Sequence, residues 1–222
     1  MKKFAKIFDH TILASSTTPE QLKKVCDEAI EYGFCSVAVN TGLVALCAEY
    51  LKGTDVKVDA AVGFPLGITT VECKVFETEE AIKNGADEVD YVINVGKLKS
   101  GDTAYIKDEM ERVVAVCRKH NVISKVIFEN CYLTDEEKRT MCKIALEVKP
   151  DFIKTSTGFG TGSATVEDVK LMKDMVGDAV KVKAAGGVRD LETCRKMLEA
   201  GAQRVGCSAS VKIVEAYKAE MK

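Results

Sequence analysis

Residues 151–158 read DFIKTSTG, and residues 180–187 read VKVKAAGG. Each segment begins as a short apolar run rich in β-forming residues, carries a lysine (Lys154 or Lys183), and ends in small residues and glycine. The chain between them has the apolar spacing of an amphipathic helix. This order predicts two parallel β-strands joined by a helix, since a parallel connection needs a crossover of that kind.

The same alternation of strand and helix extends outward to both ends of the chain. The candidate strands are Ile7–Ile12, Phe34–Val39, Val56–Val62, Glu88–Val95, Lys125–Glu129, Asp151–Thr155, Val180–Ala184 and Gln203–Gly206. Eight strands alternating with helices is the number that closes a (β/α)8 barrel. A doubly wound open sheet is the alternative, but no G-x-G-x-x-G motif follows the first strand. The sequence therefore predicts the α/β class and a single (β/α)8 TIM barrel.

The segments between the candidate strands carry start and stop signals of helices. Thr18 with Gln21 three residues later is typical of a capping box, and Gly33 ends the apolar helical face that follows. Thr134 with Glu137 begins another helix in the same way. These signals place helices between the strands, as a barrel requires.

Length and charge restrict the class of protein. The chain has 222 residues, a length typical of one α/β barrel, so we expect a single TIM-barrel domain over residues 1–222. Its 32 Lys and Arg side chains nearly balance its 34 Asp and Glu side chains, which gives a formal net charge of −2. This balance argues against the basic surface that nucleic-acid binding requires.

The sequence also lacks signals for a membrane or for export. No apolar run approaches the ~20 residues of a membrane span. The first ten residues, MKKFAKIFDH, are basic but lack the apolar core of a signal peptide. We therefore expect a cytoplasmic protein that binds neither nucleic acid nor a membrane.

Cysteine is abundant, with nine residues and no C-x-x-C pair. The odd number, the wide spacing and the lack of an export signal predict reduced thiols that act as small core residues. Zinc binding is not expected from this spacing, and two histidines leave little room for a Ser-His-Asp hydrolase. We expect no metal and no cofactor, and acid–base chemistry that uses lysines and carboxylates.

Four ionisable residues lie near the C-terminal ends of different candidate strands: Asp9, Asp90, Lys154 and Lys183. Barrel strands are buried on both faces, so each of these charges costs desolvation free energy unless it is paired. A single lysine could extend its amine to water at the rim. Four charges at the same ends of different strands instead converge on one mouth of the barrel, where barrel enzymes hold their active sites.

Two lysines at one mouth indicate amine chemistry. At the ordinary pKa of about 10.4, only about one lysine in 2,500 is neutral at pH 7, but burial and a neighbouring cation lower the pKa. A neutral amine can form a Schiff base with a carbonyl substrate, which assists the cleavage or formation of a C–C bond. The stretch of sequence that leads to Lys154 is the more apolar of the two, which favours the neutral amine. Lys154 is therefore the predicted nucleophile, and Lys183 is the predicted second cation. Lys181 would lie deeper on the same face and would need a carboxylate such as Asp59 or Glu129.

Glycine-rich turns follow the last three candidate strands, at residues 156–160, 186–189 and 206–208. Small residues allow backbone N–H groups to approach an anion, and the N-terminus of a following helix favours negative charge. Glycine is also common in turns that bind nothing, because it accepts positive φ. Three such turns beside the last strands of a barrel favour a phosphate site.

Several segments together resemble a known family, the deoxyribose-phosphate aldolases, which are Schiff-base (class I) aldolases on a TIM barrel. The matching segments, in chain order, are DHTIL at 9–13, VGFPLG at 62–67, ETEEAI at 77–82, GADEVD at 85–90, FIKTSTG at 152–158 and VKAAGGVR at 182–189. They span most of the chain, and the two segments that contain Lys154 and Lys183 are the most specific.

The resemblance implies reversible cleavage of 2-deoxy-D-ribose 5-phosphate to D-glyceraldehyde 3-phosphate and acetaldehyde. It implies that Lys154 forms the Schiff base and that Lys183 lowers the pKa of Lys154. It also implies that Asp9 orients Lys183 and that Asp90 transfers protons. The phosphate ligands it implies are Gly158, Gly186, Gly187, Gly206 and Ser208. The expected partners are a phosphorylated sugar and aldehydes, and a homo-oligomer such as a dimer is left open.

The chain departs from the family pattern at the rim and in the last glycine turn. Residues 14–15 read AS where Lys-Pro is common, and residues 206–209 read GCSA. These changes affect the expected phosphate affinity and aldehyde preference. Two other functions stay open: another Schiff-base or phosphate-binding barrel, such as a transaldolase-like or isomerase-type enzyme, and an inactive barrel that binds a phosphorylated metabolite.

Overall fold

The computed structural model describes residues 2–221 of the chain, in which strands and helices alternate. The strands are β1 (Phe8–Thr11), β2 (Ser36–Asn40), β3 (Lys57–Val62), β4 (Glu88–Val92), β5 (Ile123–Ile127), β6 (Phe152–Lys154), β7 (Lys181–Ala185) and β8 (Arg204–Cys207). The helices are α1 (Lys2–Ala5), α2 (Pro19–Tyr32), α3 (Val44–Tyr50), α4 (Val71–Lys83), α5 (Val95–Lys99), α6 (Thr103–Lys119), α7 (Asp135–Val148), α8 (Val166–Val176), α9 (Leu191–Glu199) and α10 (Ser210–Glu220). Two 3₁₀ turns, Thr41–Leu43 and Asn130–Tyr132, follow β2 and β5.

The eight strands form one closed parallel barrel in chain order. β1 pairs with β2 on one side and with β8 on the other, which closes the sheet. This confirms the predicted (β/α)8 TIM barrel over the doubly wound open sheet. The register places Lys154 of β6 opposite Lys183 of β7, and Lys183 opposite Arg204 of β8.

The two faces of each strand have opposite character. Outward side chains such as Val89 and Tyr91 of β4 are apolar and fully buried, and they belong to the hydrophobic core between the barrel and the helices. Glu88 and Asp90 of the same strand are charged, equally buried, and face the interior of the barrel. Because side chains alternate along a strand, a charged layer lies inside an apolar one.

All eight predicted strands are present, but their ends differ from the prediction in ways that matter for the site. β7 continues to Ala185, so Lys183 lies in its middle rather than at its end. Asp90 is likewise in the middle of β4, which stops at Val92. Only Lys154 is the last residue of its strand. Lys183 and Asp90 therefore lie below the mouth of the barrel rather than at it.

The predicted helix signals are confirmed. Thr18 and Gln21 form a capping box at the start of α2, and Gly33 ends that helix in the left-handed conformation with a φ of 69°. Thr134 and Glu137 form a second capping box at the start of α7. Each of these helices places its buried residues against the outer face of the barrel.

Two expectations from composition concern the whole fold. All nine cysteines are free thiols, and six of them are buried, as expected for small core residues. Among residues 2–221, none of the helices combines the length and the apolar character that a membrane span requires.

Candidate active site

Eight buried charged side chains fill the interior of the barrel, and we call them the inner charge cluster. Its four carboxylates and four cations are Asp9, Asp59, Glu88, Asp90, Lys125, Lys154, Lys183 and Arg204, each at most 7% exposed. Equal numbers of opposite charges make the cluster formally neutral. Such burial is tolerated only where opposite charges are in direct contact, as they are here.

Asp90 is the centre of the cluster. Its Oδ2 atom lies 2.6 Å from Nζ of Lys154 and 2.6 Å from Nζ of Lys183. Its Oδ1 atom lies 2.7 Å from Nζ of Lys125. Burial alone would raise the pKa of Asp90, but the three ammonium groups hold it well below its usual value. Asp90 is therefore ionised, and one of its oxygen atoms joins Lys154 to Lys183.

Lys183 lies beside Lys154 and is fully buried. Its Nζ atom is 2.5 Å from Oδ2 of Asp9 and 3.0 Å from Oδ2 of Asp59. Burial disfavours the ammonium form, but the carboxylates of Asp59, Asp9 and Asp90 outweigh it and raise the pKa of Lys183 above its ordinary value. Lys183 is therefore a permanent cation next to Lys154.

Asp9 is held in place from the opposite side of the barrel. Its Oδ1 atom accepts hydrogen bonds from the Ser36 hydroxyl at 2.6 Å and from Nε of Arg204 at 2.9 Å. Burial raises the pKa of Asp9, but the charges of Lys183 and Arg204 outweigh it and lower the pKa below its usual range. Asp9 is thus an ionised, fixed carboxylate that can position Lys183.

Lys154 differs from the other lysines of the cluster in the direction of its pKa shift. Burial lowers the pKa of Lys154, and the charge of Lys183 acts in the same direction against the attraction of Asp90. For Lys125 and Lys183, nearby carboxylates outweigh burial and raise the pKa. Within the cluster, Lys154 is the lysine that is shifted toward its neutral, nucleophilic form.

A cavity of about 380 Å³ lies at the C-terminal ends of the barrel strands, and Lys154 lines it. The residues predicted to hold a phosphate all line the same cavity: Gly158, Gly186, Gly187, Gly206 and Ser208. Asp9, Asp90 and Lys183 are not among the lining residues. The structure thus brings one of the four predicted catalytic side chains into the cavity and connects it to the other three by a chain of direct contacts.

At two positions in this cavity, a Cβ atom would lie too close to a neighbouring side chain. Gly187 has a φ of 76°, and a Cβ atom there would lie 2.7 Å from Cβ of Ser163. Gly206 faces the inner charge cluster instead, because a Cβ atom there would lie 3.1 Å from Cε of Lys183. Gly187 therefore opens the cavity wall, while Gly206 leaves room for the lysine.

The cavity is positively charged. Of the residues that the structure describes, the charged ones lining it are Lys154 and the exposed Arg189. α10 begins just after Ser208 without a side-chain cap, so its first N–H groups have no side-chain acceptor. Asp190 caps α9, and the turn after β6 runs on to Thr165 before α8 begins. Of the three helix starts expected to favour an anion, only that of α10 is uncapped beside the cavity.

Thr157 forms part of the cavity wall and is fixed by Glu129. Glu129 is 3% exposed and adopts the left-handed conformation, with a φ of 57°. Its carboxylate accepts hydrogen bonds from the backbone N–H of Thr157 at 3.1 Å and from the Thr157 hydroxyl. A strained residue with a fully used carboxylate thus holds the loop that follows Lys154.

Three carboxylates of the cluster have a spacing that can hold a metal ion: oxygen atoms of Asp9, Asp59 and Glu88 lie within 4.8 Å of one another. Nζ of Lys125 already lies 2.9 Å from Asp59 and 2.7 Å from Glu88. Arg204 contacts Asp9 and Glu88. Side-chain cations of the protein therefore already balance these carboxylates.

Comparison with known proteins assigns this barrel to a family. A family model described as DeoC/LacD family aldolase matches residues 3–213. The chain belongs to this aldolase family. A deoxyribose-phosphate aldolase of Lactobacillus acidophilus is 57% identical over 219 residues, which cover 99% of this chain and 92% of the relative. One of Caldanaerobacter subterraneus is 54% identical over 219 residues, which cover 98% of this chain and 95% of the relative.

Solved aldolase structures share the fold. The tetrameric deoxyribose phosphate aldolase of Aeropyrum pernix superposes with a TM-score of 0.92 at 26% identity, covering 99% of this chain and 93% of that one. The identity of the curated relatives over nearly the whole chain makes the protein an aldolase, an enzyme of the lyase class. This agrees with the family resemblance that the lysine segments indicated.

Sequence reasoning missed half of the inner charge cluster of this aldolase. Glu88, Lys125 and Arg204 were not singled out, and Asp59 was considered only as a partner for Lys181. All four lie inside predicted strands but away from their C-terminal ends. Strand alternation could have found Glu88, because it precedes Asp90 by two residues and therefore shares its face.

The expectation for Lys181 was wrong. Lys181 is the first residue of β7 and is exposed, with Nζ 5.3 Å from the ring centre of Phe152. It lies at the lower end of the barrel, where water solvates its amine, so it needs no carboxylate. Of its two suggested partners, Asp59 contacts Lys183 and Glu129 holds Thr157.

Proposed function

We propose that this aldolase reversibly cleaves 2-deoxy-D-ribose 5-phosphate to D-glyceraldehyde 3-phosphate and acetaldehyde through a Schiff base on Lys154. One observation carries the proposal: Lys154 is the lysine of the inner charge cluster that reaches the cavity, and its pKa is lowered there. The names of the relatives supply the substrate class.

The chemical role of Lys154 follows from its neutral form. The neutral amine attacks the aldehyde carbon of the substrate, and the resulting carbinolamine loses water to give an iminium ion. The 3-hydroxyl group of the substrate releases its proton as the C2–C3 bond breaks, and D-glyceraldehyde 3-phosphate leaves with the new carbonyl group. The electron pair of the C2–C3 bond passes to the iminium and gives an enamine, whose later uptake of a proton at carbon balances the one released. The remaining enamine takes up a proton and is hydrolysed to acetaldehyde, which restores the amine.

Lys183 and Asp90 assist this sequence from behind the nucleophile. The fixed charge of Lys183 disfavours a second positive charge on Lys154, which keeps part of the amine neutral. Oδ2 of Asp90 lies 2.6 Å from both amines and can pass a proton between them. Asp9, 2.5 Å from Lys183, holds that cation in position.

The glycine-lined end of the cavity suits the substrate phosphate. Backbone N–H groups near Gly186 and Gly187, the Ser208 hydroxyl and the uncapped start of α10 can donate hydrogen bonds to an anion. Gly158 and Gly206 line the same cavity, and Arg189 adds a positive charge that sequence reasoning did not include. The unusual GCSA sequence of residues 206–209 lies at this end, so phosphate affinity is where we expect this chain to differ from relatives.

The remaining expectations belong to the same proposal. Residues 1–222 form a single aldolase domain that needs no metal or cofactor and acts on a phosphorylated sugar and aldehydes. Self-association, expected as a dimer, stays a prediction that analytical ultracentrifugation of the chain tests. The Aeropyrum pernix relative is tetrameric. A dimer in solution would confirm the prediction, and a tetramer would contradict it.

Turnover of 2-deoxy-D-ribose 5-phosphate tests the proposal. We expect Lys154→Leu to reduce turnover at least about 10⁴-fold, because the nucleophile is lost. Lys181→Leu is the matched control, since it removes an exposed lysine from the next strand, and it should retain wild-type activity. Full activity of Lys154→Leu would contradict the proposal.

A panel of other sugar phosphates distinguishes the two rival functions. Faster turnover of a different ketose or aldose phosphate would favour a transaldolase-like or isomerase-type enzyme. Thermal stabilisation by sugar phosphates without any turnover would favour an inactive binding barrel. We expect 2-deoxy-D-ribose 5-phosphate to be the best substrate.

A further inference from the structure

Asp59, like Glu88, is a carboxylate of the inner charge cluster that the proposed mechanism does not use. It lies on β3 and is fully buried. Its Oδ2 atom is 3.0 Å from Nζ of Lys183 and 2.9 Å from Nζ of Lys125. Its Oδ1 atom is buried and has no hydrogen-bond partner among the residues that the structure describes. Asp59 therefore has one oxygen with donors and one oxygen without, and both are buried.

The other three carboxylates of the cluster have contacts on both oxygens. Asp90 contacts lysine amines through Oδ1 and Oδ2. Oδ1 of Asp9 accepts from Arg204, and its Oδ2, which like Oδ1 of Asp59 has no hydrogen-bond partner among the described residues, is compensated by Nζ of Lys183 at 2.5 Å. Glu88 contacts Arg204 through both oxygens, at 3.4 and 2.8 Å. Because an ionised carboxylate needs donors on both oxygens, Asp59 is the member whose charged form is least stabilised.

The charge balance of the cluster requires one carboxylate that can take up a proton. With Lys154 protonated, four cations face four carboxylates. The Schiff base requires Lys154 to be neutral, and three cations would then face four buried negative charges. An uncompensated buried charge is unfavourable by several kcal/mol, so one carboxylate has to take up a proton when Lys154 loses one.

We propose that Asp59 is the internal proton acceptor that makes Lys154 neutral, with Asp90 and Lys183 as the path between them. The inference rests on the proposed function of Lys154. The contacts form an unbroken chain, from Lys154 to Oδ2 of Asp90 at 2.6 Å, from there to Lys183 at 2.6 Å, and on to Oδ2 of Asp59 at 3.0 Å.

Protons balance along this chain. Lys183 first gives one of its ammonium protons to Asp59, and its nitrogen then takes up the proton that Lys154 passes through Asp90. The net change is that Lys154 becomes an amine and Asp59 becomes a carboxylic acid, while three cations face three carboxylates. Loss of water from the carbinolamine later consumes a proton, and the same chain returns it from Asp59.

The surroundings of Asp59 agree with this role. The charged side chains that face it come from five other strands and are Asp9 of β1, Glu88 and Asp90 of β4, Lys125 of β5, Lys154 of β6 and Lys183 of β7. From β2 its register neighbour is the uncharged Ala38. Burial, and then the charge of Asp90, outweigh the two lysines and raise the pKa of Asp59 to about 7.

The pH dependence of Schiff-base formation in Asp59→Asn tests the proposal. The rate of borohydride trapping of acetaldehyde on Lys154 is measured across pH for the wild type and for Asp59→Asn. Asn keeps the shape but cannot take up the proton or offer a negative charge. The amine of Lys154 should then become neutral at lower pH, and the acid limb should move down by about one pH unit. Asp87→Asn, which removes a partly exposed carboxylate beside β3, should leave the acid limb where it is.

The outcomes separate this inference from the proposed function. If the wild type forms no adduct on Lys154, the proposed function fails and the inference fails with it. If Lys154 is trapped but the acid limb of Asp59→Asn coincides with that of the wild type, only the inference fails. A loss of rate at every pH with an unchanged acid limb would show a purely structural role for Asp59 and would also contradict it.

A measurement on the wild type does not depend on the folding of a variant. Infrared spectra of the protein with isotope-labelled aspartate should show a protonated carboxyl group that titrates near neutral pH. Absence of such a band at pH values between about 5 and 7 would contradict the proposal, because ordinary aspartates are ionised there.

Discussion

Two buried lysine–carboxylate arrangements in this barrel have different consequences. In the helix layer, Lys74 and Glu109 are both fully buried, with Nζ 2.5 Å from Oε1. Lys74 also donates to the carbonyl of Val92 at 2.7 Å, and Glu109 accepts from the N–H of Asn94 at 3.1 Å. This pair is one-to-one, and its second contacts both fix the segment that follows β4.

Inside the barrel, Lys154 and Lys183 instead share one oxygen of Asp90. Burial lowers the pKa of Lys74 as it does that of Lys154, so a lowered pKa does not by itself identify the nucleophile. The difference is that Lys154 lines the cavity and competes with a second cation for its partner, whereas Lys74 is sealed and has a carboxylate of its own. A buried ion pair therefore has only a structural role unless a substrate can reach it and a second group can accept its proton.

The largest difference between the two arrangements should appear in catalysis. Asp90→Asn removes the negative charge that holds the two amines together and leaves an amide that cannot pass a proton between them, so we expect kcat to fall about 10³-fold. Glu109→Gln makes the same chemical change in the helix layer and should alter kcat less than about tenfold, because it touches no substrate. Steady-state kinetics of both variants checks this. Equal losses would show that the two carboxylates act alike.

Stability should show the reverse order. Lys74→Met leaves Glu109 buried without a cation, and we expect the free energy of unfolding to fall by about 3–5 kcal/mol. The double variant Lys74→Met with Glu109→Leu replaces the pair by apolar side chains and should recover most of that loss. Urea denaturation of the three proteins measures this. A double variant as unstable as the single one would mean that the pair contributes more than charge balance.

A smaller effect should appear in the pH dependence of stability, and it concerns Asp59. An aspartate whose pKa is raised to about 7 on folding binds its proton more tightly in the folded state. Its contribution to stability is therefore complete below its ordinary pKa and is lost as pH rises through about 7. Between pH 5 and 8, the free energy of unfolding of the wild type should fall relative to that of Asp59→Asn by about 2.6 kcal/mol. Parallel stability curves for the two proteins over this range would contradict the raised pKa.

The smallest effect that we expect concerns the phosphate end of the cavity. Gly187→Ala places a Cβ atom against Ser163 at a positive φ, so the turn must shift away from the anion. KM for the phosphorylated substrate should rise about tenfold, which corresponds to about 1.4 kcal/mol. KM for unphosphorylated 2-deoxy-D-ribose should change little. A similar rise for both substrates would mean that Gly187 shapes the cavity without contacting phosphate.

The sequence predicted the barrel and the residues near its mouth. It did not predict the charged residues that lie deeper inside the barrel. Alternating runs and capping boxes were sufficient for eight strands and their helices, because these signals are local. The position of Lys154 at the cavity could be predicted because it ends a strand next to a glycine turn. Lys125 and Arg204 could not, since a charge in the middle of a short strand acquires its meaning only from partners on other strands.

The pairing of the cluster was beyond sequence for the same reason. Asp59 contacts Lys183, which is 124 residues away in the chain, and no local pattern reports such a contact. Lys181 was misplaced because alternation gives the face of a side chain but not its height along the barrel axis. The Lys74–Glu109 pair, which joins α4 to α6, was not anticipated at all.

We expect Lys154 to be the only buried lysine that acts as the nucleophile. Borohydride reduction of the wild type in the presence of acetaldehyde, followed by proteolysis and mass spectrometry, tests it most directly. We predict that the adduct is found on Lys154 and that the other buried lysines are unmodified: Lys74, Lys125, Lys138 and Lys183. An adduct on Lys183, or turnover of substrate with no trapped lysine, would contradict the claim.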